Sequence, residues 1–268
     1  MISPSKKFIN ESSGPTLGWD RPYTYILLIV GLLALVLFVL VERKVAHPVL
    51  PIETFATATF GAVCGCVALG WMSFGMFTFY LPQLYLLRAK SLTDSLIQFR
   101  HISELEVGLQ FFPVIVTGPI ACVIAVYLLP RVPTYIIFGA SMVSFCVGQI
   151  LMALTPPEQT YWAMTFPTTA IVTFGPDLAF ASASLIASDA VPHGLQGVAG
   201  SFINTIVNYS IAIGLALAGA VQSGVNSDGS DPLKGYRGAW WLGTGFAGLG
   251  ILITAIFYKG MSKKHKHE

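Results

Sequence analysis

Two long apolar segments joined by a short polar turn occupy residues 166–219. The first (166–188) reads FPTTAIVTFGPDLAFASASLIAS, the turn (189–197) reads DAVPHGLQG, and the second (198–219) reads VAGSFINTIVNYSIAIGLALAG. A run of about 20 apolar residues is long enough to cross the hydrocarbon core of a bilayer as one helix. The stretch therefore predicts two successive transmembrane helices, and the rest of the chain repeats this pattern.

Asp177 lies near the middle of the first segment, directly after Gly175-Pro176. With the span limits given below, it is the only Asp, Glu, Lys, Arg or His inside a long apolar run. A carboxylate at bilayer depth costs about 2.5–3.5 kcal/mol, while each large apolar side chain of the segment returns about 0.3–0.6 kcal/mol. Because these contributions nearly cancel, we expect the helix to line a polar cavity inside a bundle. The alternative is a paired carboxylate with a structural role.

The second segment carries the other polar groups of this cavity. Gly200, Asn204 and Asn208 recur every four residues and so fall along one stripe of a helix, with Gln196 at its start and Ser201 beside it. We interpret Gln196, Ser201, Asn204 and Asn208 as hydrogen-bonding groups of a substrate cavity. Amides also hold helices together in membranes, so packing remains the alternative for the two asparagines.

Composition defines the class of protein. Of the 268 residues, 54% are hydrophobic and 10% are charged, against about 25% charged residues in soluble domains, which indicates an integral, multi-pass membrane protein. The net charge of +2 comes with no basic run interleaved with aromatic residues, so a nucleic-acid partner is excluded. The four cysteines all lie in apolar runs and predict neither disulfides nor a metal site.

Seven runs are long enough to span, and they predict an all-α fold. They are 23–41, 58–80, 107–129, 134–154, 161–188, 196–221 and 239–258. We divide the chain into a polar N-terminal segment (1–22), a peripheral helix with its linker (23–56), a six-helix unit (57–260) and a basic cytoplasmic tail (261–268). Pro113, Pro119 and Pro176 are expected to kink their helices.

The sequence contains no specific motif of an enzyme. Gly243, Gly245 and Gly248 fit the dinucleotide pattern GxGxxG, but that pattern requires a preceding strand, whereas here it lies inside an apolar run. We therefore predict no catalytic residues, no cofactor and no metal, and interpret these glycines as helix-packing positions. The positive-inside count is nearly balanced; the short loops weakly favour a cytoplasmic side with Arg43, Arg131 and the basic tail.

The block from Asp177 to Gly214 resembles the late spans of fungal fourteen-span drug:proton antiporters of the major facilitator superfamily. With its flanking residues (175–215) it reads GPDLAFASASLIASDAVPHGLQGVAGSFINTIVNYSIAIGL. The stretch WDRPYTYILLIV…VERKVAHPVLP resembles the span and loop just before the C-terminal six-helix half of that family. The resemblance extends from about Gly18 to Tyr258. It implies one extra central helix followed by the C-terminal half of a transporter.

The resemblance also implies a mechanism. Two six-helix halves would rock around a site at the membrane midplane, with a protonatable group coupling the flux to a proton gradient. Asp177 is the candidate for that group, the substrates would be amphipathic drugs or toxins, and the plasma membrane is favoured over the vacuole. Arg131 is the one residue that could serve as the gating charge of the reduced cytoplasmic loop. The loop after the second span is about a dozen residues longer than in the family, through Ala89–Arg100.

Other functions stay open at this stage. The N-terminal half that the family requires is absent, which leaves a truncated product, a half that needs a partner, or a non-transporting membrane subunit. A siderophore transporter is a further alternative within the family. A membrane enzyme is disfavoured because the predicted spans contain no second titratable group beside Asp177.

Overall fold

The computed structural model describes residues 22–45, 57–95, 111–156, 161–227 and 229–264. Within these ranges there are seven α-helices and no strand. They are α1 (Pro22–Glu42), α2 (Ala58–Ser95), α3 (Phe112–Leu128), α4 (Thr134–Leu154), α5 (Phe166–Asp189), α6 (Gln196–Val225) and α7 (Pro232–Lys264). A π-helical turn, Tyr161–Thr165, leads into α5, and a 3-10 turn, His193–Leu195, leads into α6.

The predicted all-α membrane fold is confirmed. In the described parts of the chain, five helical stretches are long and apolar enough to cross a membrane, judged by length and composition: Ala58–Tyr85, Thr134–Leu154, Tyr161–Asp189, His193–Val225 and Pro232–Ile256. The apolar helix α3 is shorter, at 17 residues. The chain divides into two compact units, Met1–Thr54, which contains α1, and Phe55–Glu268, which contains α2 to α7.

Two predicted span limits were wrong, while the limits of the fourth span agree with α4. The second helix does not end at Tyr80 but continues through Pro82 to Ser95, and the seventh begins at Pro232 rather than at Ala239. Hydropathy marks the part of a helix that lies in hydrocarbon, whereas the hydrogen-bonded helix itself can extend into polar surroundings. The first residues of the predicted Ala89–Arg100 insertion are thus helical; residues 96–110 lie outside the described ranges.

The prolines divide into two groups. Pro119 lies inside α3 and Pro176 inside α5, where the expected kinks stay a prediction. Pro113, however, lies in the first turn of α3, where its missing N–H costs no hydrogen bond. It begins this helix instead of kinking it, which corrects the prediction.

The second unit is built around α2, which packs against α4, α5, α6 and α7, whereas α3 packs mainly against α5. On α5 the buried face that joins the core contains Ala179, Ala183 and Ala187 at a spacing of four. Small residues at such a spacing let helix backbones approach closely in a membrane, where van der Waals packing replaces the hydrophobic effect as the driving force.

The predicted small-residue contacts are half right. A Cβ on Gly243 of α7 would lie 2.8 Å from Cδ of Gln149 on α4, so Gly243 is at a helix contact. Gly200 of α6 has no neighbouring atom within 4 Å of such a Cβ. The close approach of α6 to α2 occurs instead at Gly214, where the added carbon would lie 2.8 Å from Cα of Met72.

Candidate functional site

Helix α5 places Asp177 in the middle of its span. Its buried neighbour Gly175 lies against the ring of Phe145 on α4, since a Cβ there would be 2.5 Å from a ring carbon. Pro176 has no N–H, so the carbonyl of Val172 one turn earlier lacks its helical donor. The backbone just before Asp177 is thus both tightly packed and short of one hydrogen bond.

The Asp177 carboxyl is half-buried and has the Cys122 thiol of α3 as its hydrogen-bonding neighbour. In the part of the chain that the structure describes, no other hydrogen-bond or ion-pair partner of Asp177 is present. We expected Asp177 close to α6 or to a missing half of the bundle. Its described neighbour is on α3, the helix that packs mainly against α5, and a position facing a missing half stays a prediction.

Asp177 belongs to a stripe along α5. At about 100° per residue, Ala170, Ser184 and Ser188 point within about 20° of its direction, and all four side chains are half-buried. The hydroxyl oxygen of Ser184 is itself buried and has no hydrogen-bond partner among the described residues. An orphaned buried hydroxyl is costly and calls for a partner. This stripe therefore has unused hydrogen-bonding capacity in addition to its carboxyl.

Helix α6 divides into two faces. Its buried face packs on the core and comprises Ala199, Ile203, Val207, Ser210, Gly214 and Ala218. The opposite face is exposed and polar along its first half, where it carries Ser201, Asn204, Thr205 and Asn208. We call these four residues the polar face of α6. Gln196 is the first residue of the helix and is half-buried.

Most donors of the polar face are bonded within α6 itself. Ser201 Oγ donates to the carbonyl of Gly197 at 3.0 Å, and Thr205 Oγ1 donates to the carbonyl of Ser201 at 3.0 Å. Asn208 Nδ2 donates to the carbonyl of Asn204 at 2.8 Å. The side-chain amide of Asn204 has no partner in the described structure. The face thus presents polar atoms outward that lipid tails cannot satisfy.

Arg131 follows the last turn of α3. Its Nη1 donates to the carbonyl of Tyr127 at 2.8 Å, and its guanidinium carbon lies 3.9 Å from the centre of the Tyr127 ring. A cation at the C-terminal end of a helix is favoured by the helix dipole, and stacking over a ring adds a cation–π attraction. The predicted gating charge is therefore held against its own helix.

Comparison with known proteins finds similar fungal transporters. The chain is 42% identical over 246 residues to a protein of Saccharomyces cerevisiae named "Low affinity ammonium transporter". It is 43% identical over 245 residues to an uncharacterized MFS-type transporter of Schizosaccharomyces pombe, and 35% identical over 243 residues to the efflux pump terJ of Aspergillus terreus. These matches agree with the resemblance to the major facilitator superfamily that the sequence indicated. No protein-family model matches it.

These relatives are longer than the chain. The matches cover 91–92% of this chain but only 45% of each of the three transporters. This coverage agrees with the prediction that the chain corresponds to the C-terminal half of a facilitator-family transporter. The names of the three relatives place all of them among transporters rather than enzymes.

Sequence reasoning missed two polar residues of the helix bundle. Gln149 of α4 is 1% exposed, and its Nε2 donates to the carbonyl of Ser73 on α2 while its Oε1 has no described partner. Arg237 lies inside the seventh span, and its Nη2 donates to the carbonyl of Thr155 at 3.2 Å, just past the end of α4. For Gln149, the available signal was a single glutamine in an otherwise apolar run. Arg237 was missed because the seventh span was predicted to begin too late, at Ala239.

Proposed function

We propose that the chain forms the C-terminal half of a proton-coupled transporter that exports amphipathic organic molecules, with its N-terminal half supplied by another segment or subunit. The relatives named as transporters and efflux pumps support the class of function. The coverage of 45% of their length supports the need for a second half. An integral membrane location follows from the apolar helices and the relatives, and we propose the plasma membrane as its site.

The exposed polar face of α6 carries this proposal. In a bilayer, a face with two amides and two hydroxyls is expected to line a water-filled cavity or to pack against protein. A second six-helix half across from α6 would enclose that cavity at the membrane midplane, where the substrates of alternating-access transporters bind. In this arrangement Ser201, Asn204 and Asn208 offer hydrogen bonds to the substrate, and Gln196 lies at the end of the same helix.

Asp177 is proposed as the proton-coupling group. A half-buried carboxyl in a gated cavity can accept a proton when the cavity opens to one side and release it on the other. The Ser184 hydroxyl on the same stripe, about 10 Å further along the helix, is a potential hydrogen-bond partner for the substrate or for water. Arg131 would act at the cytoplasmic end, where its release from Tyr127 accompanies opening. None of these roles involves covalent chemistry, and we propose that the chain is not an enzyme.

The test uses a fusion of this chain to the N-terminal part of the Schizosaccharomyces pombe relative, expressed in yeast. Efflux of rhodamine 6G, a fluorescent amphipathic cation, is measured with and without a proton gradient. We expect Asp177→Asn to reach the membrane in normal amounts and to lose the gradient-dependent efflux. Asp231→Asn, in the polar loop before α7, is the matched control and should export as the parent does. Normal gradient-dependent efflux by Asp177→Asn would show the carboxylate to be structural.

The relative from Saccharomyces cerevisiae favours one alternative substrate. Its name refers to ammonium, and it is 42% identical to this chain. Methylammonium uptake by the same fusion distinguishes the two substrate classes, because a small cation would be taken up without competing with rhodamine. A fusion that reaches the membrane and moves neither compound would favour the non-transporting subunit.

A further inference from the structure

The structure contains a cavity whose described lining includes neither Asp177 nor the polar face of α6. It encloses about 500 Å³ at the end of the bundle where α4 begins and α5 ends, and α2, α4, α5 and α7 form its walls. This volume is in the range of small-molecule sites, about 300–1,000 Å³. The cavity is therefore large enough for an organic molecule of several rings.

The lining of this cavity is divided between apolar and polar groups. Apolar side chains from each of the four helices contribute to its walls: Val63, Phe138, Ile186 and Ile253. Hydroxyls of threonines such as Thr134 and Thr254 add hydrogen-bonding atoms. Among the described residues that line it, Asp189 is the only charged one. This combination of an apolar wall, scattered hydroxyls and one acid suits an amphipathic guest.

Asp189 gives the cavity its sign of charge. It is the last residue of α5 and is exposed, and its carboxylate has no hydrogen-bond or ion-pair partner in the described ranges. The C-terminal end of α5 adds a partial negative charge, which the N-terminal ends of α2 and α4 offset, each with about half a positive charge. Among the described lining residues, the carboxylate is thus the one full charge that a ligand would meet, and the helix ends add only partial charges.

We propose that this cavity is a second small-molecule site, which holds an amphipathic organic cation with its apolar body between α2, α4, α5 and α7 and its charged group at Asp189. The site is independent of the proposed transport function, because it uses neither Asp177 nor the polar face of α6. Occupation would bridge four helices at one end of the bundle.

The experiment measures binding of ethidium to the purified full chain in lipid nanodiscs, by the rise in dye fluorescence over that of empty nanodiscs. We expect Asp189→Asn, which keeps the shape of the side chain, to weaken binding by about two- to fivefold, the order expected for the loss of one exposed ion pair. Ala62→Phe, which places a ring into the cavity from α2, should weaken it as well. Asp231→Asn is the matched control and should bind as the parent chain does.

Two outcomes with the variants would contradict the proposal. Unchanged affinity in Asp189→Asn would overturn the assignment of the charged group, and a loss only in Asp177→Asn would move the cation to the middle of α5. A competition experiment on the parent chain avoids the question of whether a variant folds. Phenanthridine, the uncharged ring system of ethidium, should displace bound ethidium poorly. Equal competition by phenanthridine would show an apolar guest without charge recognition. Because transport is not measured, these results are separate from the test of the proposed function.

Discussion

Replacement of Gly214 by alanine tests how closely α6 approaches α2. The added Cβ would lie 2.8 Å from both Cα and the carbonyl oxygen of Met72 and 3.0 Å from its Cβ. Two of these atoms are backbone in the middle of a long helix, so no side-chain rotation can relieve the overlap. Overpacking of this kind costs about 1–3 kcal/mol.

Gly219→Ala is the matched control for this prediction. It lies on the same helix, and no heavy atom is within 4 Å of its added Cβ. Alanine is favoured over glycine in a helix by about 1 kcal/mol, and this gain applies to both variants and cancels between them. The Gly214→Ala variant should therefore be less stable than Gly219→Ala by about 1–3 kcal/mol.

Thermal unfolding in detergent measures this difference in a background where Cys64, Cys122 and Cys146 are replaced by alanine. It is followed by the reaction of the remaining buried thiol, Cys66, with a fluorogenic maleimide. Cys66 is 2% exposed in the folded chain and reacts only after unfolding. At about 2–4 °C per kcal/mol for a chain of 150–250 residues, Gly214→Ala should have a midpoint clearly below that of Gly219→Ala. Equal midpoints, or a higher midpoint for Gly214→Ala, would show that α6 does not approach α2 at this residue.

Three further predictions concern polar groups. Gln149→Leu removes the hydrogen bond to the carbonyl of Ser73 and should lower the free energy of unfolding by about 0.6–2 kcal/mol, the range for interhelical hydrogen bonds in membranes. The same thermal assay measures this loss, and an unchanged midpoint would contradict the prediction. Tyr127→Leu removes the ring under the guanidinium of Arg131 and should speed tryptic cleavage after Arg131, while an unchanged cleavage rate would show that the stacking does not hold the side chain. Cys122, the only exposed cysteine of the described residues, should react in membranes with a charged methanethiosulfonate reagent if water reaches the α3–α5 face; reaction with a permeable maleimide alone would place lipid there.

The fold was predictable from the sequence because hydropathy reports directly on burial in lipid. The limits of α4 agree with the apolar run that predicted them. Hydropathy does not predict the helix limit where a helix leaves the hydrocarbon, as α2 does in its continuation through Pro82. Polarity there changes while the backbone hydrogen bonds continue, and a pattern of polarity alone cannot distinguish a polar helical turn from a loop.

The candidate site was predictable in its residues but not in its contacts. Helical spacing placed Ser201, Asn204 and Asn208 on one face, and the structure has all three exposed. The same spacing put Gly200 at a helix contact, which the structure contradicts. Periodicity defines which residues share a face. It does not say which face meets the core, because small residues occur both where helices touch and where cavities open.

The hydrogen bonds of the two polar surfaces suggest different demands on whatever covers them. Ser201, Thr205 and Asn208 already donate hydrogen bonds to carbonyls of α6. A molecule that contacts this face therefore does not have to offer an acceptor to each of them. Water and substrates of different structure can contact it with a similar free energy. Asp177 differs, because an ionised carboxylate at bilayer depth requires a specific partner or a proton. Its described neighbour is a thiol, which is only a weak donor. From a permissive face on α6 and one strict titratable group on α5, we propose a transporter with loose substrate contacts and a fixed proton site.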